Sequence, residues 1–240
     1  MSEKATKKSK TPRWLPLESN PDVLNSFLRR MEVDESVAFH DVFGLDEELL
    51  AMIPQPVVAM CLLFPSSTIN AIRREQFADK CIANPAEQGI FYLHQLSQFG
   101  NACGTIACVH ATANAAGVVF DEASPLGAFI EANRGKDPDT IGENLADAVE
   151  IHEASEQSAS SSGAQTATPS RDDSVEGHFI TFVLFEGHLL ELDGMMPGPI
   201  DHGEASESDF TVKTAEIIKT QFMDLDPGNV NFNITAMSIQ

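Results

Sequence analysis

Positive charge is scarce in this chain. Fifteen lysines and arginines stand against 36 aspartates and glutamates, which leaves a net charge of −21 over 240 residues. A protein that grips a nucleic-acid duplex needs the opposite sign to neutralise phosphates, so nucleic acid is not an expected partner. A basic protein would be drawn to this field. Cysteine is sparse as well: Cys61, Cys81, Cys103 and Cys108 contain no CxxC pair and make no disulfide framework. The expected setting is therefore the reducing cytoplasm or nucleus. Long apolar runs are missing. The longest, Val57 to Phe64, falls far short of the roughly 18 residues a membrane helix needs and reads as a strand buried on both faces. The N-terminus, Met1 to Arg13, carries Lys4, Lys7, Lys8, Lys10 and Arg13 but no apolar segment, so it reads as a solvated, disordered basic tail and not as a signal peptide.

What remains is 42% hydrophobic, enough for one large α/β domain over residues 14–240. Asn20 and Pro21 cap and open a helix whose apolar positions, Val23, Leu24, Phe27, Leu28 and Met31, recur at helical spacing. Phe39 to Phe43 reads as a strand, Asp46 to Met52 as a short helix, Arg73 to Ala83 as a weaker one, and Gly89 to His94 as a strand. Cys103 to Ala116 is rich in small residues and reads as a buried helix, with Leu126 to Glu131 and Ile141 to Glu150 as further helical pieces. The run from Ala154 to Ser174 is dominated by serine, alanine and threonine; it buries too little to offset its ordering entropy and reads as a mobile loop. A loop of that length inside a domain is usually functional.

Chemistry concentrates in two islands. In Gly100-Asn-Ala-Cys-Gly-Thr-Ile-Ala-Cys-Val-His-Ala-Thr-Ala-Asn114, Cys103 stands where a helix begins. Unpaired amides and the helix dipole favour a thiolate there. Cys108 and His110 lie deeper in the helix and read as structural. The second island, His178-Phe-Ile-Thr-Phe-Val-Leu-Phe-Glu-Gly-His-Leu-Leu-Glu-Leu-Asp193, reads as a hairpin turning at Glu186-Gly187. Paired positions then sum to 373, so Asp193 faces Ile180 and shares a face with His178, whereas His188 points to the other side. A thiol, an imidazole and a carboxylate supply nucleophile, base and orienter, the set a cysteine hydrolase requires. A free thiol has a pKa of about 8.5, and an adjacent histidinium can lower it to roughly 3–4. Metal binding is the rival use of Cys, His and Asp, but no ligand-pair spacing supports it.

At these residues the chain resembles the ubiquitin carboxyl-terminal hydrolase family, in its short single-domain form. The likeness runs from Trp14-Leu-Pro-Leu-Glu-Ser-Asn-Pro21 through Gly44-Leu-Asp-Glu-Glu-Leu-Leu, Pro56-Val-Val and Leu62-Leu-Phe-Pro65, takes in both islands, and continues through His202-Gly-Glu to Asn231-Phe-Asn-Ile-Thr-Ala. The resemblance implies an α/β fold with a central antiparallel sheet flanked by helices, a papain-like active-site arrangement and a knotted backbone. It implies Cys103 as nucleophile, His178 as general base and acid, and Asp193 as orienter, with no cofactor and no metal. It also implies an oxyanion-hole glutamine before the cysteine helix. At the family's usual spacing this chain carries Ser97; Gln95 lies two residues earlier and Gln98 one later, and keeping the apolar strand in register favours Gln95. A second departure is Met195-Met196, where relatives commonly carry basic residues. The run from Ala154 to Ser174 occupies the place of the segment that crosses over the active site. The implied activity is cleavage of small or unfolded adducts from the C-terminal glycine of ubiquitin through a thioester. Acidic residues of this chain would bind the basic ubiquitin tail, and no membrane partner is implied. The alternatives are a ubiquitin-binding protein with little turnover and a hydrolase for a ubiquitin-like modifier.

Overall fold

A computed structural model describes residues 13–171, 173 and 175–240. The basic tail expected over Met1 to Arg13 thus lies outside the described residues, Arg13 excepted. In chain order the main elements are α1 (Pro21–Arg30), β1 (Val37–Asp41), α2 (Glu47–Leu50), β2 (Val57–Pro65), α3 (Ser66–Phe77), α4 (Cys103–Asn114), α5 (Pro125–Asn133), α6 (Pro138–Ala146), α7 (Val149–Ala159), β3 (Gly177–Phe185), β4 (His188–Leu192), β5 (Ile200–Glu204), α8 (Phe210–Gln221) and β6 (Asn233–Ile239). The six strands form one sheet in the order β1-β6-β2-β3-β4-β5, every neighbouring pair antiparallel. No described helix is long and apolar enough to cross a membrane.

Helices cover both faces, which is why β2 and β3 read as nearly unbroken apolar runs. Successive residues still alternate sides. Ala59, Cys61, Phe179, Val183, Leu190, Leu192 and Met237 join a core with α1, α4, α5 and α7. Met60, Leu62, Phe64, Ile180, Phe182 and Ala236 join a second core with Ile69 of α3 and with Phe210 and Ile218 of α8. Local signals act as expected at α1: the Asn20 side chain accepts a hydrogen bond from the Asp22 amide at 2.9 Å, and Pro21 occupies the first turn, where no amide partner is needed.

Three expectations are corrected. Gly89 to His94 forms no strand: Gly89 is left-handed at φ 76° and the residues after it pair with no strand. Side chains satisfy its backbone instead: Asn114 bonds both the amide and the carbonyl of Phe91 at 2.8 Å, and Nε2 of His110 accepts from the Leu93 amide at 3.1 Å. Those partners come from α4, so the run is held against a helix and not in the sheet. The helix expected over Arg73 to Ala83 begins at Ser66, directly after β2, and ends at Phe77 in a 3-10 turn over Ala78–Lys80. Ala154 to Ser174 is not loop throughout, because α7 continues to Ala159. Its small residues form a buried helix face: Ala154, Ser155, Ser158 and Ala159 are all buried, and the Ser155 hydroxyl bonds that of Thr105 on α4 at 2.7 Å. Small side chains with a buried hydroxyl partner let two helices approach closely, which composition alone misreads as solvation.

Candidate active site

The site forms where the N-terminus of α4 meets the start of β3. α4 is almost wholly enclosed, with every residue from Gly104 to Thr112 buried. Its position is set by close contact. A Cβ at Gly104 would lie 3.0 Å from the Leu17 side chain and 3.4 Å from the Phe179 ring, so only glycine lets the helix start seat against β3. Farther along, the Thr181 hydroxyl donates to the Ala107 carbonyl at 2.9 Å and ties the strand to the same helix. Cys103, half-buried, is the first residue of α4, and its sulfur is held by the His178 imidazole and by the amides of Phe179 and Gly104.

The hairpin has the register that its turn implies. Thr181 pairs with Leu192 and Phe185 with His188. Glu186 (φ 49°) and Gly187 (φ 84°) both adopt the left-handed conformation of a two-residue turn whose twist matches the strands. No bulge intervenes, so His178 and Asp193 fall on one face. His178 Nε2 donates to Asp193 Oδ1 at 2.7 Å, leaving Nδ1 for Cys103. Both residues are buried, at 4% and 7% exposure, and the imidazole lies edge-on to Phe64 with ring centroids 5.7 Å apart. His188 points away, to Asp201 on β5.

Burial and charge oppose each other here, and charge prevails. Burial alone would depress His178, but the Asp193 carboxylate and the Cys103 sulfur beside it raise its pKa to about 10. Burial alone would raise Cys103, yet the hydrogen bond and charge of His178, with the two backbone amides, bring it below the usual thiol value. Asp193 is likewise held below the usual carboxylate range despite burial, chiefly by His178. Each partner thus favours the charged form of the other, the His178 imidazolium lowering the Cys103 thiol and the Cys103 sulfur raising His178. By contrast Cys61 and Cys108 are buried with raised pKa values, Cys61 to about 12.

Several contributors were not singled out from sequence. Tyr92, the only tyrosine, donates from its hydroxyl to the carbonyls of Asp193 and Met196, the latter at 2.7 Å. The Gln95 amide donates to the Gly194 carbonyl at 2.8 Å, and the Met195 amide caps Asp193 Oδ1 at 2.9 Å. A Cβ on Gly194 would sit 3.2 Å from the Gln95 amide nitrogen, so glycine permits this close crossing. His110 stacks on Tyr92 at 5.2 Å and, driven by burial, has its pKa pushed down to about 3. It is a neutral structural residue. Beneath the hairpin, Arg73 contacts both oxygens of Glu191 at 2.6 and 2.5 Å, while the guanidinium lies 3.8 Å from the Phe222 ring centroid. His202 adds a 2.9 Å bond to Glu191. An arginine in a weak helical stretch carries no sequence signal of such a partner.

The two glutamines part company. Gln95 opens on the same cleft as Cys103 and His178; its Nε2 donates to the Gly100 carbonyl at 3.0 Å, and its Oε1 is buried without a hydrogen-bond partner. Gln98 is exposed on the 3-10 turn Ser97–Phe99. That turn, with Gly100 at φ 68°, folds back the chain between Gln95 and Cys103. Cys103 also borders a larger cavity of about 420 Å³, walled by Leu17, Glu18, Leu63, Thr166 and Phe179. Among the described residues, no cluster of three or more His, Cys, Asp or Glu could hold a metal ion.

A cysteine thiol of lowered pKa at a helix start, an imidazole at a strand start and a buried carboxylate behind it define the working arrangement of a cysteine hydrolase. The chain belongs to the ubiquitin carboxyl-terminal hydrolase family 1, whose family model matches residues 14–223. It is similar to a ubiquitin carboxyl-terminal hydrolase of Aplysia californica, 39% identical over 218 residues that cover 90% of this chain and 97% of the relative. It is also similar to human ubiquitin carboxyl-terminal hydrolase isozyme L1, 35% identical over 223 residues covering 92% and 96%. In fold it matches the catalytic domain of Trichinella spiralis UCH37, solved bound to ubiquitin vinyl methyl ester, with a TM-score of 0.77 at 18% identity over 96% of this chain and 97% of that one.

Proposed function

We propose that this chain is a thiol-dependent deubiquitinating hydrolase that cleaves after the C-terminal glycine of ubiquitin, and that Cys103, His178, Asp193 and Gln95 perform the reaction. The observation that carries this reading is the assembled line of Cys103, His178 and Asp193, in which His178 lowers the thiol pKa and Asp193 holds the imidazole. The Cys103 thiolate attacks the glycine carbonyl carbon, and the carbonyl π electrons move onto oxygen. The Gln95 amide group and the Cys103 backbone N–H, at the helix start, stabilise that oxyanion. As the oxyanion collapses, the bond to the leaving amine breaks and His178 supplies its proton, which leaves a thioester and a neutral imidazole. His178 then takes a proton from water as the water attacks the thioester, and a second collapse restores the thiolate and imidazolium and frees the ubiquitin C-terminal carboxylic acid, which loses its proton to solvent. Asp193 holds the ring orientation throughout and stabilises the imidazolium.

The ubiquitin tail is basic and the chain carries a net −21, so association is favoured by charge. Thr166, Thr168 and Pro169, from the stretch after α7, line the cavity beside Cys103, so that stretch limits which adducts reach the sulfur. Small or unfolded leaving groups fit this limit. The test is hydrolysis of ubiquitin bearing a fluorogenic amide at its C-terminus. Release of the fluorophore by the wild type and none by Cys103→Ala is the expected result. Ubiquitin binding with no release by the wild type would overturn the enzymatic reading.

A further inference from the structure

One helix bonds to the frame on every side of the His178–Asp193 pair. α3 makes three such ties, each at a residue two positions from His178 or Asp193. At its start the Ser66 amide and hydroxyl donate to the Glu176 carbonyl at 3.0 and 2.6 Å, just ahead of His178. Farther along, Arg73 donates to both oxygens of Glu191, just ahead of Asp193. The next residue, Arg74, donates to the carbonyl of Met195, just beyond Asp193. A helix fixes the rise between its residues. The three ties therefore set where the start of β3 lies relative to the turn that carries Asp193.

The Arg74 tie differs from the other two in what it reaches. The amide of the same Met195 donates to Asp193 Oδ1 at 2.9 Å, and that oxygen also accepts from His178 at 2.7 Å. Met195 is thus held at its carbonyl by Arg74 while its amide holds the catalytic carboxylate. The neighbouring carbonyls of Asp193, Gly194 and Met196 are held from a different segment, by the Tyr92 hydroxyl and the Gln95 amide. Arg74 is exposed, whereas Arg73 and Glu191 are buried. Removing one of the buried partners would strand the charge of the other and unsettle the core; replacing Arg74 leaves the core intact.

Resting on the hydrolase reading above, we propose that α3 is a brace for the catalytic pair and that Arg74, its outer contact, is a positioning residue that seats the Asp193 carboxylate on the His178 ring through Met195. Position and charge predict opposite signs. Removing the Arg74 cation acts, as a charge, to favour protonation of His178 and so to raise its pKa. Loosening the carboxylate weakens its hold on the imidazolium and lowers that pKa.

The experiment follows the His178 ring signal against pH by NMR in the wild type, Arg74→Met and Arg74→Lys. Kinetics on the fluorogenic ubiquitin amide and denaturant midpoints are measured on the same samples. Arg74→Met keeps the stem and removes the donors. It should lower the His178 pKa by about half to one pH unit, the scale of one hydrogen bond. It should also lower kcat about three- to tenfold, with KM and the unfolding midpoint little changed. Arg74→Lys, whose ammonium still donates to a carbonyl, should restore most of both. A His178 titration that is unmoved or raised in Arg74→Met would overturn the positioning role. So would a raised KM at unchanged kcat, which marks a substrate contact. If the wild type cleaves the amide in either case, the hydrolase reading stands and only the brace falls. If the wild type cleaves nothing, the hydrolase reading falls, and the titration, which needs no turnover, still decides whether Arg74 seats Asp193.

Discussion

The α4–β3 junction holds Cys103 and His178 by burial: Gly104 against Phe179, Thr181 on the Ala107 carbonyl, and Thr105 on Ser155. The stretch after α7 that walls the neighbouring cavity is held by exposed polar contacts. The Glu18 carboxylate accepts from the amides of Gln165 and Thr166 at 3.0 and 3.1 Å and from the Thr166 hydroxyl at 3.0 Å. Arg171 bridges Glu156 to the Arg13 carbonyl. Buried contacts open only when the core opens, whereas solvent-facing hydrogen bonds exchange readily with water. Reactive atoms are thus kept in register by packing, whereas the wall of the neighbouring cavity is held by bonds of small net strength. A protein that must keep a thiolate poised and still admit a chain beside it needs both kinds of restraint.

The sharpest break on the rigid side is Asp193→Asn. It should lower turnover on the fluorogenic amide by on the order of 10²–10⁴-fold with ubiquitin affinity little changed, as measured by titration beside the rate assay. The pH profile supplies the sign. Because Asp193 holds His178 up to about 10, activity should fall on the alkaline side only well above neutrality, as the imidazolium loses its proton. On the acid side it should fall as pH drops through the depressed Cys103 value and the thiolate is protonated. Removing the Asp193 charge should move the alkaline limb down toward the ordinary histidine range. An unmoved limb would show that Asp193 does not set the imidazole.

Gln95→Ala should slow the chemistry by about 10²–10³-fold, and Gln98→Ala far less, since only Gln95 opens on the cleft beside Cys103. The reverse ranking would transfer the oxyanion role to Gln98. Tyr92→Phe removes a donor from two buried carbonyls, at Asp193 and Met196, and should cost about 1–3 kcal/mol in denaturant unfolding. Its turnover should drop as the Asp193 turn loosens; unchanged stability would mean that water replaces the hydroxyl.

The smallest effect is expected on the loosely held side. Glu18→Gln should leave global stability nearly unchanged while the Gln165 and Thr166 amides exchange hydrogen severalfold faster. Burial tends to raise the Glu18 pKa, but the hydrogen bonds from Thr166, Asn20 and Gln165 lower it overall. Its hold on the stretch therefore persists above the ordinary carboxylate range and is lost as pH falls through the depressed value, so the wild type should come to exchange like the variant in acid. Equal exchange in both proteins at neutral pH would dissolve the contrast between the two regions.

Features that depend on near neighbours were legible in the order of residues. The Asn20–Pro21 cap and the Glu186–Gly187 turn each act within a few positions. A tight turn transmits its register along both strands, which is why the partnership of His178 with Asp193 follows from counting. The structural reading of Cys108 and His110 likewise follows from their depth in a helix of small residues. Tertiary structure alone decided the rest, because the deciding partners lie far apart in the chain. Tyr92 finds the carbonyls of Asp193 and Met196, Arg73 finds Glu191, and Ser155 finds Thr105. The same holds for Gly89 to His94, whose apolar pattern suits a strand until Asn114 and His110 take its backbone bonds, and for Ala154 to Ala159, whose serines look solvated until a second helix covers them. Local pattern sets what a backbone prefers; which donor meets which acceptor is set by packing, and packing settled where the Asp193 turn rests and how Cys103 is approached.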